Sequence, residues 1–228
     1  MTVKQWVTTI FLFMFSATTT SAMPMTQTND TKRITLVGAS IGKDWNFDRV
    51  AERLKISGYD FRYMGKYDFD KSELIDTIVG QSRKSDIVMI KECSSYFPGD
   101  SAKQRAFVQN WVGKLRAAGV QPVLVTVAPV KAPGLVQRGK NLVKKVMGKP
   151  VWPEEVAAFN DWLREYAARE RLPLFDLERA LSIAPDQRYL KPEFSTDDDV
   201  HLSRAAYERL DREFEQFLSG IGIVSASR

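Results

Sequence analysis

A regular alternation between short apolar runs and longer amphipathic segments constrains the fold of this chain more than any other feature. Runs of four to six residues, most of them rich in Val, Ile and Leu, are typical of strands buried on both faces. The apolar runs lie at 33–37, 60–64, 86–90, 122–127 and 172–175. Between and after them, apolar residues recur at every third or fourth position, which predicts helices that cover a sheet. The predicted helices span 44–57, 72–82, 102–118, 154–170 and 203–218.

Five strands that alternate with helices predict a three-layer α/β/α fold around a five-stranded parallel sheet, doubly wound and flavodoxin-like. The chain shows neither an internal repeat nor a mid-chain linker, so we expect one domain over 32–228. Ligands in such folds bind beyond the carboxyl ends of the strands. The loops that follow the strands are therefore where we expect the chemistry.

The first 22 residues have the composition of a secretory signal. Lys4 is their only charged residue, an apolar run covers 6–15, and small residues cover 16–22. The apolar part is shorter than the ~20 residues that span a bilayer. We predict a signal peptide cleaved after Ala22, a flexible lead-in over 23–31, and a secreted or periplasmic protein. An uncleaved membrane anchor is the alternative.

A serine stands on the turn that leaves the first predicted strand, in Gly38-Ala39-Ser40-Ile41-Gly42. A sharp strand-to-helix turn exposes the serine hydroxyl, and flanking glycines let a substrate approach the backbone closely. The following helix also offers unpaired N–H groups to a developing negative charge. A second interpretation is a glycine-bounded turn whose serine caps the helix.

The one histidine of the chain lies near the other end, in Thr196-Asp197-Asp198-Asp199-Val200-His201. Serine is a weak nucleophile unless a base takes its proton, and histidine is the usual base. Asp198 precedes His201 by three residues, about one turn, so both side chains can face one way. Such a carboxylate would orient the imidazole. The alternative is a solvated acidic loop with a surface histidine before the last helix.

The serine after the first strand, together with Asp-x-x-His at the last helix, resembles the SGNH (GDSL-like) hydrolase family over Ile34 to about Leu218. The resemblance implies that Ser40 is the nucleophile of a serine hydrolase acting on ester bonds. It further implies that His201 is the base and that Asp198 is its partner.

This sequence departs from the family pattern at three places. The family's Gly-Asp-Ser reads Gly38-Ala39-Ser40 here. In the family, a glycine of the second block supplies an N–H to the oxyanion hole, and Gly65 is its best match in this sequence. Ser95 aligns with the third-block Asn, whose side-chain amide donates to the oxyanion in the family. Loss of one oxyanion-hole donor costs about 3–4 kcal/mol in the best-studied case, so we expect slow turnover. Glu92 is an unexpected acid beside this block, either near the site or simply solvated or paired with a lysine.

The sequence allows two other assignments of the nucleophile. Gly-x-Ser-x-Gly also occurs in α/β-hydrolases, but there the serine usually lies mid-chain and the acid is distant from the histidine in sequence. Cys93 is a possible thiol nucleophile, although a cysteine at the end of an apolar strand is more often a small buried filler. We therefore favour Ser40.

A basic segment without any acidic residue covers 131–153, where lysines and Arg138 interleave with apolar residues. It predicts a short basic amphipathic helix beside the site that steers an anionic substrate or rests on an anionic envelope surface. A solvated lid is the alternative. The net charge of +5 is too small to indicate a nucleic-acid partner. One cysteine and one histidine exclude a multi-Cys zinc site and a His-rich metal centre, and no cofactor is expected.

These observations predict a secreted serine esterase or deacylase acting on a small O-acyl ester, with a carbohydrate ester as a plausible substrate. The missing third-block Asn motivates a second hypothesis, a non-catalytic glycan- or lipid-binding protein on the same scaffold. An acyltransferase is a third, because a sugar hydroxyl can resolve an acyl-enzyme instead of water. The sequence does not separate transfer from hydrolysis.

Overall fold

The computed structural model describes residues 31–84, 86–196 and 201–223. The predicted signal peptide and Asp198 lie outside the described residues. The sheet is parallel, with the order β2-β1-β3-β4-β5. Its strands are β1 (Lys32–Gly38), β2 (Tyr59–Gly65), β3 (Ile87–Lys91), β4 (Gln121–Val125) and β5 (Leu174–Phe175).

Helices cover both faces of this sheet, and a small antiparallel hairpin follows it. The helices are α1 (Ser40–Asp44), α2 (Val50–Arg53), α3 (Ser72–Gln81), α4 (Ser101–Ala117), α5 (Leu135–Val146), α6 (Trp152–Glu170), α7 (Leu177–Leu181) and α8 (Arg204–Gly220). The hairpin pairs β6 (Ser182–Ala184) with β7 (Gln187–Leu190). One buried core contains side chains of α1, α2, α7 and α8, and the other contains side chains of α3, α4 and α6. The predicted three-layer fold is confirmed.

The predicted helix over 44–57 is wrong. Helix α1 already starts at Ser40, and the chain then forms a 3-10 turn at Phe47–Arg49 before α2. Asn46 separates them with a left-handed backbone, φ 51°, which asparagine tolerates better than most residues. The break lets Trp45 and Phe47 both enter the first core, although one continuous helix would turn them to different sides. The predicted strand over 172–175 is also shorter than expected, since only Leu174 and Phe175 pair.

The topology brings the two ends of the chain to one edge of the sheet. In the order 2-1-3-4-5 the crevice for ligands opens beyond the carboxyl ends of β1 and β3. Helix α8 is held against the start of the domain because the Trp45 indole N–H donates to Asp211 Oδ1 at 2.8 Å. Arg53 Nε donates to the same carboxylate at 2.9 Å. These bonds hold the middle of α8 against the residues that follow α1.

Within the described residues, no helix is both long enough and apolar enough to cross a membrane.

Candidate active site

Ser40 is the first residue of α1 and is half-buried. It directly follows Ala39, which has an extended backbone, φ −105° and ψ −151°. The Ser40 hydroxyl makes no hydrogen bond to any residue that the structure describes, and no side chain caps α1. The capping interpretation therefore does not describe this serine, which follows the carboxyl end of β1.

Tyr63 packs against the serine turn, and the sequence alone did not single it out. Its hydroxyl donates to the Ala39 carbonyl oxygen at 2.8 Å. A Cβ added to Gly42 would lie 2.6 Å from the Tyr63 ring, and one added to Gly65 would lie 2.5 Å from its hydroxyl oxygen. Both glycines are needed because the tyrosine occupies the space that a side chain would take. Tyr63 thus fixes the backbone that carries Ser40.

The Tyr63 hydroxyl is kept in its protonated form. Partial burial, the neighbouring Tyr67 and the carboxylates of Asp44 and Asp48 raise the pKa of Tyr63 well above its usual value. A protonated phenol remains a donor to Ala39 at neutral and alkaline pH.

His201 lies beside α1. Its Nε2 is 4.0 Å from Asp44 Oδ2, and the side chain is 43% exposed. Asp44 is four residues after Ser40, so both project from the same face of α1, about 6 Å apart along its axis. The structure therefore brings His201 to the helix that Ser40 begins, with no direct hydrogen bond from Ser40 Oγ to the imidazole.

The backbone around His201 is tied down on both sides. Thr196 Oγ1 donates to the His201 carbonyl oxygen at 2.9 Å, and Ser195 forms a β-bridge with Leu202. Leu202 is buried in the first core, and Ser203 caps α8 by accepting from the Ala206 N–H. These contacts join the segments on either side of residues 197–200, which include Asp198 and lie outside the described residues.

Glu92 forms a buried ion pair with Lys71, the lysine-paired arrangement that the sequence allowed. Lys71 Nζ lies 2.5 Å from Glu92 Oε2, and the two side chains are 0% and 2% exposed. Lys71 Nζ also donates to the Asp68 carbonyl oxygen at 2.9 Å and lies over the rings of Tyr96 and Trp111. Burial raises the pKa of Glu92 to about 7, and the Lys71 ammonium opposes that rise. The pair anchors the start of the loop that follows β3.

Lys91 is a second buried lysine at this edge, also missed from the sequence. It ends β3, and its side chain packs against Gly38, the last residue of β1. Its Nζ donates to the Glu92 carbonyl oxygen at 2.9 Å. Burial lowers the pKa of Lys91 to about 8, while Cys93 and Glu92 act in the opposite direction. The only signal in the sequence was a lysine directly after an apolar strand, which is typical of a solvated strand end.

The remaining residues of the third block stand in a 3-10 turn at Ser94–Tyr96. Ser95 is exposed, and its hydroxyl donates to Cys93 Sγ at 3.1 Å. Cys93 itself is only 6% exposed, as expected for a small buried filler. The Trp152 indole N–H donates to the Ser94 carbonyl oxygen at 2.7 Å and links this turn to the start of α6.

A network of charged side chains holds the hairpin that leads to the histidine loop. Glu178 is 2% exposed, and its Oε2 accepts from Arg164 at 2.7 Å and from Arg188 at 2.8 Å. Arg164 also pairs with Asp176, whose Oδ1 accepts from the Thr126 hydroxyl at 3.1 Å. Because Arg188 belongs to β7, the network fastens the hairpin to the carboxyl ends of β4 and β5.

Comparison with known proteins identifies the fold but no near relative. No family model and no curated protein matches the chain. A GDSL-like lipase from Bacteroides thetaiotaomicron superposes with a TM-score of 0.62 at 14% identity, covering 84% of this chain and 89% of that one. TesA gives a TM-score of 0.59 at 18% identity, with 83% and 99% covered.

A variant of Axe2, an acetyl-xylooligosaccharide esterase from Geobacillus, gives a TM-score of 0.60 at 16% identity, with 86% and 97% covered. The chain therefore has the fold of the GDSL-like, or SGNH, hydrolases, and the resemblance noted in the sequence is confirmed at the level of the fold.

Proposed function

We propose that this chain is a serine esterase or deacylase that cleaves a small O-acyl ester with Ser40 as its nucleophile. The observation that carries the proposal is the position of the Ser40 hydroxyl. It is unbonded among the described residues, and Ser40 follows the carboxyl end of β1 and begins the helix that His201 approaches. The fold shared with esterases and a lipase supports it.

In the proposed reaction, Ser40 Oγ attacks the ester carbonyl carbon while His201 takes its proton. The backbone N–H groups of Ser40 and Gly65 receive the negative charge on the carbonyl oxygen. The tetrahedral intermediate collapses, the bond to the alcohol breaks, and His201 returns the proton to that alcohol. Water then attacks the acyl-enzyme with His201 again as base, which releases the carboxylic acid and restores Ser40.

Three further residues have supporting roles in this proposal. Asp198 is the carboxylate that orients the imidazole, as the family resemblance implies. Tyr63 holds the carbonyl of Ala39, so that the Ser40 N–H keeps its direction during the reaction. Asp44 Oδ2, 4.0 Å from His201 Nε2, keeps the imidazole close to α1.

The substrate class that we propose is an O-acyl ester of a carbohydrate. The fold likeness to an acetyl-xylooligosaccharide esterase and the predicted export from the cell support this choice. The acetyl group named for that esterase is a small acyl group of the kind that we propose. Acetyl esters should accordingly be cleaved faster than long-chain esters of the same alcohol.

A fluorophosphonate probe tests the nucleophile directly. The folded wild type should be labelled, and Ser40→Ala should lose the label. Ser101→Ala is a matched control, because Ser101 begins α4 as Ser40 begins α1, and it should be labelled like the wild type. Labelling that survives in Ser40→Ala, or an unlabelled wild type, contradicts the proposal.

Non-catalytic glycan or lipid binding is a second candidate function. It is favoured by the exposed Ser95, which stands where the family has an Asn and is bonded to Cys93 Sγ. It predicts saturable binding that Ser40→Ala leaves intact, without ester turnover. Hydrolysis that depends on Ser40 excludes it. Acyl transfer is distinguished by adding a sugar acceptor and measuring acylated sugar against free acid.

A further inference from the structure

Helix α5 presents its apolar side chains to solvent. No residue of α5 is buried, and Leu135, Val136 and Val146 are 85%, 75% and 82% exposed. At about 100° per residue, the apolar side chains of this segment form one continuous arc. Its members are Leu135, Val136, Leu142, Val143, Val146 and Met147.

The orientation of α5 is the reverse of that of an ordinary surface helix, which packs its apolar face on the protein. Gln137, Asn141 and Lys144 line a cavity of about 560 Å³ whose other walls include Pro133 and Trp152. Asn141 is the one half-buried residue of the helix, so the polar side is the side nearest the body. Apolar patches that monomers leave exposed usually mark an interaction site.

Positive charge flanks the apolar arc. On the helical projection, Lys140 and Lys144 follow one edge of the arc, and Arg138 and Lys145 follow the other. The sequence from 131 to 153 contains no Asp or Glu, and Glu154, directly after it, pairs with Lys145 at 3.0 Å. Two copies of the chain that met through this face would bring their lysines together, so a second copy is a poor occupant. A partner that has an apolar interior beneath a negatively charged surface fits both the apolar arc and the flanking lysines.

We propose that α5 is an interfacial helix that docks on an anionic lipid bilayer. The apolar arc enters the boundary between headgroups and acyl chains, and the flanking lysines face the phosphates. Helix α5 lies toward the carboxyl end of the sheet, since the Trp152 indole N–H bonds to Ser94 and Lys131 forms a bridge with Leu190. Docking through α5 therefore holds this end of the molecule near the membrane, whether or not Ser40 is a nucleophile.

A fluorescent thiol label reports insertion of α5 itself, independently of any membrane contact by residues 1–22. Cys93 is buried, so a polarity-sensitive maleimide on folded Val146→Cys reports the helix, and Gln81→Cys at the far end of α3 is the control. The probe is vesicles of equimolar phosphatidylglycerol and phosphatidylcholine, compared with phosphatidylcholine alone. We expect a blue shift for the Val146 label on the anionic vesicles and none for the Gln81 label.

Charge and apolar contributions are separated by further variants in the labelled background. Lys140→Gln/Lys144→Gln should weaken vesicle binding about 30-fold, since each surface lysine contributes about a fivefold factor. Lys32→Gln/Lys55→Gln removes the same charge away from α5 and should change binding little. Leu142→Ser/Val143→Ser should abolish the blue shift while leaving the lysines in place.

Three results overturn the proposal: no blue shift with anionic vesicles, equal weakening by both lysine pairs, or self-association through α5 without lipid. The last would assign the face to a second copy of the chain. Fluorophosphonate labelling of Ser40 is measured without vesicles, so failure of the docking proposal and failure of the esterase proposal are distinguishable.

Discussion

The buried Lys71–Glu92 pair makes the stability of this protein depend on pH in a direction set by Glu92. Burial raises the pKa of Glu92 from 4.5 to about 7 in the folded chain. Between these values the folded state holds a proton that the unfolded chain has released. The free energy of unfolding therefore falls as pH rises through this window, and the loss is complete above the folded pKa.

The magnitude follows from the size of the shift. Each pKa unit corresponds to about 1.4 kcal/mol, so Glu92 should lower the free energy of unfolding by about 3 kcal/mol between about pH 5 and about pH 8. Glu92→Gln keeps the shape of the side chain but cannot ionise. In this variant we expect the free energy of unfolding to lack the decrease that Glu92 causes in this pH range.

Lys71→Met tests the same pair from the other side. The Lys71 ammonium lowers the pKa of Glu92, so its removal should move that pKa above 7. The free energy of unfolding should then fall further as pH rises. Breaking a buried pair costs about 3–5 kcal/mol, and we expect that loss near pH 8, where the buried Glu92 must either stay charged without a partner or take a proton from a solution poor in protons. Near pH 5 the loss should be smaller because Glu92 is protonated.

Urea unfolding at both pH values measures these differences, with Glu73→Gln as a matched control. Glu73 is 90% exposed on α3, and its replacement should leave the pH dependence of the wild type unchanged. If Glu92→Gln shows the same pH dependence as the wild type, the carboxylate is ionised throughout and the reasoning is refuted. If Lys71→Met is equally destabilised at both pH values, Glu92 does not govern its loss of stability.

Three further predictions concern the supports of the candidate site. Tyr63→Phe removes the hydrogen bond to Ala39, so unfolding free energy should fall by about 1 kcal/mol and fluorophosphonate labelling of Ser40 should slow, whereas Tyr59→Phe should do neither. Gly42→Ala brings a methyl group onto the Tyr63 ring and should cost about 1–3 kcal/mol in urea unfolding. Its control Gly80→Ala, in an open position of α3, should be neutral or stabilising. Glu178→Ala leaves two arginines without their shared buried partner, so the free energy of unfolding measured by thermal unfolding should fall by about 3 kcal/mol. Its control Glu154→Ala, at an exposed glutamate, should lower it by less than about 1 kcal/mol.

The sequence by itself determined the layers of this fold and the edge at which the candidate site lies. Short apolar runs predict the strands, and apolar residues at every third or fourth position predict the helices. The carboxyl ends of parallel strands necessarily lie at one edge of the sheet. Ser40 could therefore be placed at the crevice from its position after the first strand alone. Gly42 of its turn was also recognised, but its packing against Tyr63 was not, because that contact joins α1 to β2.

Only the tertiary structure decided what depends on contacts between distant segments. Lys71 and Glu92 are 21 residues apart, and no local pattern indicates that both are buried and paired. The break at Asn46 arises because the core accepts Trp45 and Phe47 together, against the helical period of their segment. Helix α5 shows the same limit, since the sequence predicts a basic amphipathic helix but not which face it turns outward. That orientation is set by packing against the rest of the protein, which is a property of the assembled fold.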